Sequence, residues 1–331
     1  MQLIHHFNTF LADTVNLPKS RLDDLAAKVD ALYAAIRDDD EYGSLVTGKR
    51  RQGSWAHRTI IQPKPDYEYD ADVLIELDEN SDWADDKKLY IFRLYSALGR
   101  AGYLDRERRT RCVRVTYAND CHVDLVPYVD TWLGRRIVNK KTGEWEASNP
   151  DGFTEWMRER DKWTNGHFRK VVRLMKYIRD HHGHFEGTRS IILTTLLGNQ
   201  VNYYTNLTDP NAYGSVPKTL TRIVNDLDAW LQAQWYMPSV EDPSSAGTNF
   251  DHRWDETSYE HLRNRIQTLA AEMTDALEET SSSTSVEKWR VVFGDEFGQD
   301  AAKSKAANPF GALAGGTASV AASTSRPGRA G

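Results

Sequence analysis

The sequence QGSWAHRTIIQPKPDYEYDADVLIEL, residues 52–77, decides the fold together with CHVDLVPYV, residues 121–129. Asp70 and Asp72 stand at the start of an apolar run that is typical of a strand, and side chains two residues apart in a strand lie on the same face. Asp124 lies inside the second apolar run, where a buried carboxylate is costly unless it is paired or bound to a cation. If the two strands are neighbours, three carboxylates converge on one point.

Three carboxylates at one point repel each other, and a divalent cation relieves this repulsion. Oxygen ligands favour Mg²⁺, with Mn²⁺ as the other candidate, and such a site performs phosphoryl transfer with two ions about 4 Å apart. Asp70 and Asp72 are predicted to bridge the ions. Asp124 is predicted to bind the ion that activates the acceptor hydroxyl, or to act directly as its base.

Gln52, Gly53 and Ser54 form the predicted nucleotide-binding segment. Glycine lets the backbone approach a phosphate closely, and backbone amides with the Ser54 hydroxyl can donate hydrogen bonds to triphosphate oxygens. Each element also has a structural interpretation, because Asp-x-Asp pairs are often solvated turn residues, Gly-Ser pairs are common, and an N-cap or salt bridge explains many buried aspartates. The order of the three elements favours the catalytic interpretation.

On either side of these strands, the pattern predicts a helix-flanked sheet in residues 1–150 and a mainly helical lobe in residues 151–298. In the first unit, the 3.6-residue and two-residue periods predict helices at residues 3–11, 20–36 and 85–101 and strands at residues 53–61, 71–77, 111–117 and 122–126. In the second unit, helices are predicted at residues 152–163, 167–180, 190–203, 217–235, 258–279 and 286–293, with breaks at residues 238–249 and 280–285. The tail, residues 299–331, is predicted to be disordered because it has little apolar surface to bury.

Composition argues against several classes of protein. The 331 residues include 42 Lys and Arg against 48 Asp and Glu, a net charge of −6, so strong nucleic-acid binding is not expected. Two cysteines, Cys112 and Cys121, form no disulfide framework and fit a reducing, cytoplasmic location. Neither a secretion signal nor a run of about 18 apolar residues is present, so no membrane partner is expected.

The order Gly-Ser, Asp-x-Asp and a later third acid resembles the DNA polymerase β-like nucleotidyltransferase superfamily. Within it, the chain is similar to the cGAS/DncV-like nucleotidyltransferases of bacterial CBASS antiphage signalling. The segments that carry this resemblance, between residues 17 and 297, are GSWAHRTII, EYDADVLIEL, HVDLVP, NPDGFTEW, RLMKYI and RSIILTTLL. The resemblance implies an α/β (α+β) fold, in which a core sheet packs against a C-terminal helical lobe with the active site in the cleft between them.

The resemblance also implies roles for individual residues. Asp70, Asp72 and Asp124 match the metal-binding catalytic triad, and Gly53 with Ser54 matches the triphosphate-binding motif. In the helical lobe, Lys176 matches a phosphate-contacting lysine and Ser190 the serine at the head of the next helix. Ile191 stands where some relatives have a base-stacking tyrosine. From the residues alone, Lys176 can instead be a solvated charge on a cationic helix.

The implied activity is Mg²⁺-dependent synthesis of a cyclic di- or trinucleotide second messenger from nucleoside triphosphates, ATP among them. A downstream effector binds such a product. Relatives of this type are often encoded beside an E1/E2-like ligase that conjugates their C-terminal residue, here Gly331, although the tail can also be an ordinary frayed terminus. Two other functions stay open: transfer of one nucleotide to a protein, RNA or small-molecule acceptor, and a catalytically silent nucleotide-binding scaffold.

A basic run, RERRTRCVR at residues 106–114, is a further motif. It is predicted to be a strand with a charged outer face, and the alternative is that it contacts the phosphate of an acceptor nucleotide. Cys112 and Cys121 bracket a predicted hairpin and are expected to be buried small residues.

Overall fold

The computed structural model describes residues 1–118, 120–209, 211–244 and 247–299, so the predicted tail lies outside the described residues from residue 300 onward. The strands span Val46–Gln52 (β1), Tyr69–Asp78 (β2), Arg106–Arg108 (β3), Val113–Tyr117 (β4), Cys121–Thr131 (β5), Gly134–Asn139 (β6) and Glu144–Ala147 (β7). The helices span Ile4–Phe10 (α1), Lys19–Arg37 (α2), Gly53–Ala56 (α3), Leu89–Arg100 (α4), Pro150–Trp163 (α5), Phe168–His182 (α6), Ser190–Asn199 (α7), Tyr203–Thr208 (α8), Val216–Gln232 (α9), Glu256–Glu278 (α10) and Ser282–Phe293 (α11).

Within these ranges the strands form one seven-stranded sheet of order β1-β2-β5-β4-β3, and the far half of β5 pairs with β6, which pairs with β7. The pairing of β2 with β5 is parallel, whereas the other neighbours are antiparallel. A parallel pair needs a long crossover connection, which α4 and the hairpin strand β4 provide here. The predicted α/β fold with a C-terminal helical lobe is thereby confirmed.

The two faces of the sheet differ in chemistry. Ala71, Val73 and Ile75 of β2 lie in a buried cluster with apolar residues of α2 and α4, so these helices cover one face. The alternate residues, including Asp72 and Glu76, lie on the opposite face because strand side chains alternate. The fold thus isolates an acidic face from the main core of the sheet.

The helical lobe has its own core, and the first helix of the chain belongs to it. Phe7 is fully buried, and its ring lies edge-on to Trp289, with 4.9 Å between ring centroids, and to Phe297, at 5.1 Å. A π-helical segment, Leu11–Val15, extends α1 and adds two buried residues to the same core. The amino terminus therefore packs with residues that lie almost at the other end of the described chain.

The strand predicted at residues 53–61 is wrong. The edge strand is β1, which precedes that segment, and the chain leaves it at Gly53 with a positive φ of 58° before one helical turn, α3. The sequence of β1, VTGKRRQ, carries almost no apolar signal because an edge strand buries little surface. The single strand predicted at residues 106–114 is divided into β3 and the start of β4, and the short strands β6 and β7 were not predicted.

The helices of the lobe confirm the predicted pattern with two differences. The helix predicted at residues 190–203 ends at Asn199, and α8 starts separately where the Asn202 side chain accepts a hydrogen bond of 2.8 Å from the Tyr204 amide. The predicted break at residues 280–285 is short, because Ser281 caps α11 by accepting from the Thr284 amide. Among the described residues, no helix has both the length and the apolar character that crossing a bilayer requires.

We predict that Phe7→Ala lowers the free energy of unfolding by about 3 to 5 kcal/mol, the usual cost of deleting a buried aromatic ring. Ile4→Ala, on the same helix but 49% exposed, is the control and should change it by less than about 0.5 kcal/mol. Urea unfolding followed by circular dichroism measures both. Equal, small effects of the two variants would contradict the packing of α1 in the lobe.

Candidate active site

The parallel pair of β2 and β5 brings the three predicted aspartates together. Asp72 is the registered partner of Asp124. Asp70 is the partner of His122, two residues earlier on both strands and therefore on the same face. All three carboxylates lie on the face that α2 and α4 leave uncovered. The Asp70 side chain is 62% exposed, whereas that of Asp124 is 13% exposed, so the group extends from the solvent into the protein.

Asp72 is the carboxylate whose pKa is raised by this arrangement. Burial, and then the neighbouring charges of Asp124 and Asp70, raise the pKa of its carboxyl to about 6. The cations Arg114 and Arg253 act in the opposite direction. The aspartate face therefore favours added positive charge, and the most buried carboxylate has most to gain from it.

Arg114 of β4 already supplies positive charge to this face. It is the registered partner of Asp124, and its Nε and Nη2 atoms donate to the two Asp124 carboxylate oxygens, each at 2.8 Å. Its Nη2 also lies 3.3 Å from Asp70 Oδ1. The hydrogen bonds to Asp124 raise the pKa of Arg114 further above its usual range. In the sequence, Arg114 is part of the basic run at residues 106–114, and its position between the buried Val113 and Val115 is the signal that it faces away from the core.

The Gly53 turn lies directly against Asp72. Gln52 is the β1 partner of Asp72, and the chain turns at Gly53. A Cβ atom at Gly53 would stand 2.4 Å from Asp72 Oδ2, so only glycine leaves room for this carboxylate. The next residue, Ser54, is half-buried, and its carbonyl accepts a hydrogen bond of 2.8 Å from the Thr59 amide. The predicted nucleotide-binding segment and the predicted catalytic carboxylates thus meet at one corner of the sheet.

Lys176 joins the helical lobe to the loop after this turn. Its side chain is buried, with 7% of the residue exposed, and Nζ donates to the Thr59 carbonyl at 2.9 Å. Burial and the charge of Arg179 lower the pKa of this lysine to about 8, although Asp180, Asp70 and Asp72 oppose the shift. The alternative of a solvated surface charge is therefore wrong.

Ser190 is the first residue of α7, as predicted, and it is half-buried. Its hydroxyl accepts a hydrogen bond of 3.0 Å from Arg179 Nη1, which also donates to the Thr188 carbonyl at 3.1 Å. Within the described residues, the recorded partner of the Ser190 hydroxyl is Arg179 and not the aspartate group. Ser190 is thus linked to Lys176 only through Arg179, which binds the Ser190 hydroxyl and whose charge lowers the pKa of Lys176.

Two further residues of the aspartate face were missed as functional candidates. Cys112, predicted and confirmed to be buried, lies beside Asp124, and burial with the charges of Asp124 and Asp72 raises the pKa of its thiol. Arg253, from the loop before α10, is exposed, yet burial and then Arg111 lower the pKa of its guanidinium. No sequence period identifies such loop residues.

The residues present fit a divalent cation. The donors are carboxylate oxygens on neighbouring strands, and the guanidinium of Arg114 stands in for a cation between Asp124 and Asp70. In the described part of the chain, no group of three or more His, Cys, Asp or Glu side chains is preformed as a metal centre. Asp70, Asp72 and Asp124 are the residues that would hold Mg²⁺, and Asp124 accepts two hydrogen bonds from Arg114 in this structure.

The sequence is similar to a family of synthetase domains and to two curated synthases. Residues 1–161 match the family model of the Second Messenger Oligonucleotide or Dinucleotide Synthetase domain. The cyclic AMP-AMP-AMP synthase of an Acinetobacter species is 25% identical over 295 residues, which make up 86% of this chain and 82% of that protein. The c-di-GMP synthase of Roseivirga ehrenbergii is 28% identical over 152 residues, 44% of this chain and 40% of that protein.

Solved structures share the fold over nearly the whole described chain. CdnC of E. coli MS115-1, solved with ATP, superposes with a TM-score of 0.69 at 18% identity and covers 90% of this chain and 99% of its own. The DncV cyclic AMP-GMP synthase of Vibrio cholerae superposes with a TM-score of 0.70 at 16% identity, covering 91% of this chain and 98% of its own. The chain is a nucleotidyltransferase whose residues 1–161 form a Second Messenger Oligonucleotide or Dinucleotide Synthetase domain, and it is similar to the cGAS/DncV-like enzymes.

Proposed function

We propose that this nucleotidyltransferase makes a cyclic di- or trinucleotide second messenger from nucleoside triphosphates, in CBASS antiphage defence. The observation that carries the proposal is the registered pair Asp72 and Asp124, with Asp70 on the same face and the Gly53 turn against it. The class of product is supported by the two sequence relatives, which are named as a cyclic AMP-AMP-AMP synthase and a c-di-GMP synthase. ATP is proposed as one substrate, because the similar CdnC was solved with ATP.

In the reaction, the oxygen of a ribose hydroxyl attacks the α-phosphorus of a nucleoside triphosphate. The new phosphorus–oxygen bond forms as the bond to the β-phosphate bridge breaks, and pyrophosphate leaves. Asp70, Asp72 and Asp124 would hold two Mg²⁺ ions, or Mn²⁺, which when bound polarise the phosphate and make the hydroxyl more acidic. Asp124 would orient the acceptor side or accept the hydroxyl proton at its carboxylate.

Gln52, Gly53 and Ser54 are proposed to cradle the triphosphate. The Gly53 turn brings backbone close to the aspartate face without a side chain in between, and the Ser54 hydroxyl makes no hydrogen bond within the described residues, so it is available as a donor. Lys176 and Ser190 are proposed as contacts from the helical lobe. Lys176 has three N–H donors, of which the Thr59 carbonyl takes one, and a nearby phosphate would favour its charged form.

A regulatory partner and a downstream effector complete the proposal. CdnC of E. coli has also been solved in complex with a HORMA protein, which supports a regulatory protein partner for this chain. Conjugation of Gly331 by an E1/E2-like ligase stays a prediction, since this residue lies outside the described residues. The effector would bind the cyclic product.

Mass spectrometry of products from all four nucleoside triphosphates with Mg²⁺ tests the function. A cyclic product resists phosphatase and forms without any added acceptor. Products that form only with an added protein, RNA or small molecule would show single nucleotide transfer instead. Nucleotide binding without any product, with or without these acceptors, would indicate a silent scaffold.

We predict that the double variant Asp70→Asn with Asp72→Asn loses at least about a thousandfold in product formation, because the carboxylates that hold the metal ions are gone. Packing should change little, since Asn keeps the shape of Asp. Asp78→Asn, at the exposed far end of the same strand, is the control and should keep normal activity. Pyrophosphate release measures turnover, and near-normal turnover of the double variant would move the active site elsewhere.

We predict that Gly53→Ala lowers kcat about a hundredfold or more, because its Cβ displaces the Asp72 carboxylate and small displacements of reacting groups cost about that much. Gly102→Ala is the matched control. Gly102 also has a positive φ, 89°, but a Cβ there meets nothing within 4 Å. Both variants should lose about 1 to 2 kcal/mol of stability from backbone strain. Loss of stability without the specific loss of kcat would contradict the role of the turn.

We predict a pH-dependent stability difference between the wild type and Lys176→Met. Between a pKa of about 8 in the folded state and 10.5 in the unfolded state, the unfolded chain binds more protons at Lys176. The wild type therefore gains stability relative to the variant as pH rises through this window, by up to about 3 kcal/mol. Urea unfolding at pH 7 and pH 10 measures this, with Lys170→Met on the same helix as control. A difference independent of pH would show that Lys176 titrates normally.

A further inference from the structure

The basic run at residues 106–114 divides between the two faces of the sheet. Arg114 points to the aspartate face, where it pairs with Asp124. Arg106 and Arg108 of β3 are registered with Val115 and Val113, which belong to the core under α4 on the opposite face. Registered side chains of an antiparallel pair lie on the same side. These two arginines therefore point away from the active site, and the nucleotidyl transfer proposed above makes no use of them.

A cavity of about 480 Å³ lies at this position, between β3 and α4. Its volume is within the range of small-molecule sites. Four cationic side chains and two aromatic rings line it: Lys88, Arg106, Arg108, Lys140, Phe92 and Tyr95. The cavity is open to solvent, and the sheet separates it from the aspartate face.

The charge of the cavity is not balanced by its own acid. Glu107 also lines it, but this carboxylate pairs with Arg109 at 2.9 Å on the surface. Arg108 and Lys88 make no ion pair in the described part of the chain. A concave surface with two cations outside any ion pair is unexpected on a protein whose net charge is −6, since solubility does not require it.

The arginines are held in place by aromatic rings and backbone carbonyls. The Arg108 guanidinium lies 4.9 Å from the centre of the Phe92 ring and 5.0 Å from that of Tyr95. Arg106 lies 4.2 Å from the Tyr95 ring centre and donates to the Tyr95 carbonyl at 2.8 Å. A guanidinium stacked on a ring keeps the N–H groups at its edge available, in the planar fork that matches phosphate oxygens. The cavity is thus preorganised for an anion.

We propose that this cavity binds a small ligand with a condensed phosphate chain, either inorganic polyphosphate or a nucleoside polyphosphate. The fork geometry of Arg108 and the neighbouring Lys88 and Lys140 match several linked phosphates better than a single carboxylate. Concavity favours a small molecule over a duplex, which would need an extended flat basic strip. The site is distinct from the catalytic face and does not depend on the product proposed above.

Isothermal titration calorimetry of the full chain tests the site, in EDTA so that no metal binds the aspartates. The probes are sodium tripolyphosphate and, in a separate arm, ATP. Arg108→Gln is expected to weaken binding of at least one probe about tenfold or more, whereas Arg93→Gln, on α4 but outside the cavity lining and paired with Glu41, leaves it unchanged. Equal affinity for the two probes would show that the phosphate chain alone is recognised, and tighter ATP binding would identify a nucleotide site.

Lys88→Gln is a second variant, in case Arg108→Gln disturbs folding. It should weaken the same binding while its melting temperature stays unchanged. A phosphate that binds at the Gly53 turn would be insensitive to both variants. The proposal is overturned if neither probe binds, or if binding is the same in the wild type, Arg108→Gln and Lys88→Gln. None of these measurements uses turnover, so their outcome is independent of the cyclase assay.

Discussion

The parallel pairing of β2 with β5 sets Asp72 beside Asp124, and the surroundings of the acidic face follow from the repulsion between these two charges. Neighbouring strands lie about 4.8 Å apart, so two carboxylates at registered positions interact strongly wherever water is partly excluded. Three features accommodate this repulsion. Arg114 pairs with Asp124, Gly53 leaves space for the Asp72 carboxylate, and the Asp70 side chain is largely exposed to solvent. A fold that needed only stability would replace the pair with apolar residues, which is often neutral or stabilising.

The segment that follows the Gly53 turn connects this face to the helical lobe. His57 stacks on Phe153 with ring centroids 5.0 Å apart, and Lys176 donates to the Thr59 carbonyl. His181 contacts the Gln62 carbonyl at 3.2 Å, so the contacts continue along the loop. Because the lobe contacts the loop that follows Gly53 and Ser54, a shift of the lobe would move the Gly53 turn relative to the aspartates.

The sequence was informative where side-chain burial is periodic. Both strands could be predicted from the apolar alternation around Asp70 and Asp72 and from the acid within the apolar run of β5. The two-residue spacing also predicted that Asp70 and Asp72 lie on one face. The edge strand β1 could not be predicted, because VTGKRRQ buries little apolar surface and its composition is typical of a loop. Contacts such as Arg114 with Asp124 depend on register between strands, which no local pattern encodes. The partner of Lys176 depends on packing between two units and could not be read from the helix that carries it.

The position of α1 makes the helical lobe discontinuous along the chain, with the sheet inserted between its first helix and the rest. During synthesis Phe7 leaves the ribosome about 280 residues before Trp289, a delay on the order of 15 to 60 s at usual elongation rates. The sheet can fold in that interval, and Phe10 of α1 can meet Tyr177 of α6 before the aromatic partners of Phe7 in α11 have been made. The lobe core thus assembles in two stages, and its Phe7–Trp289 contact can close only after the sheet and the rest of the lobe have been synthesised.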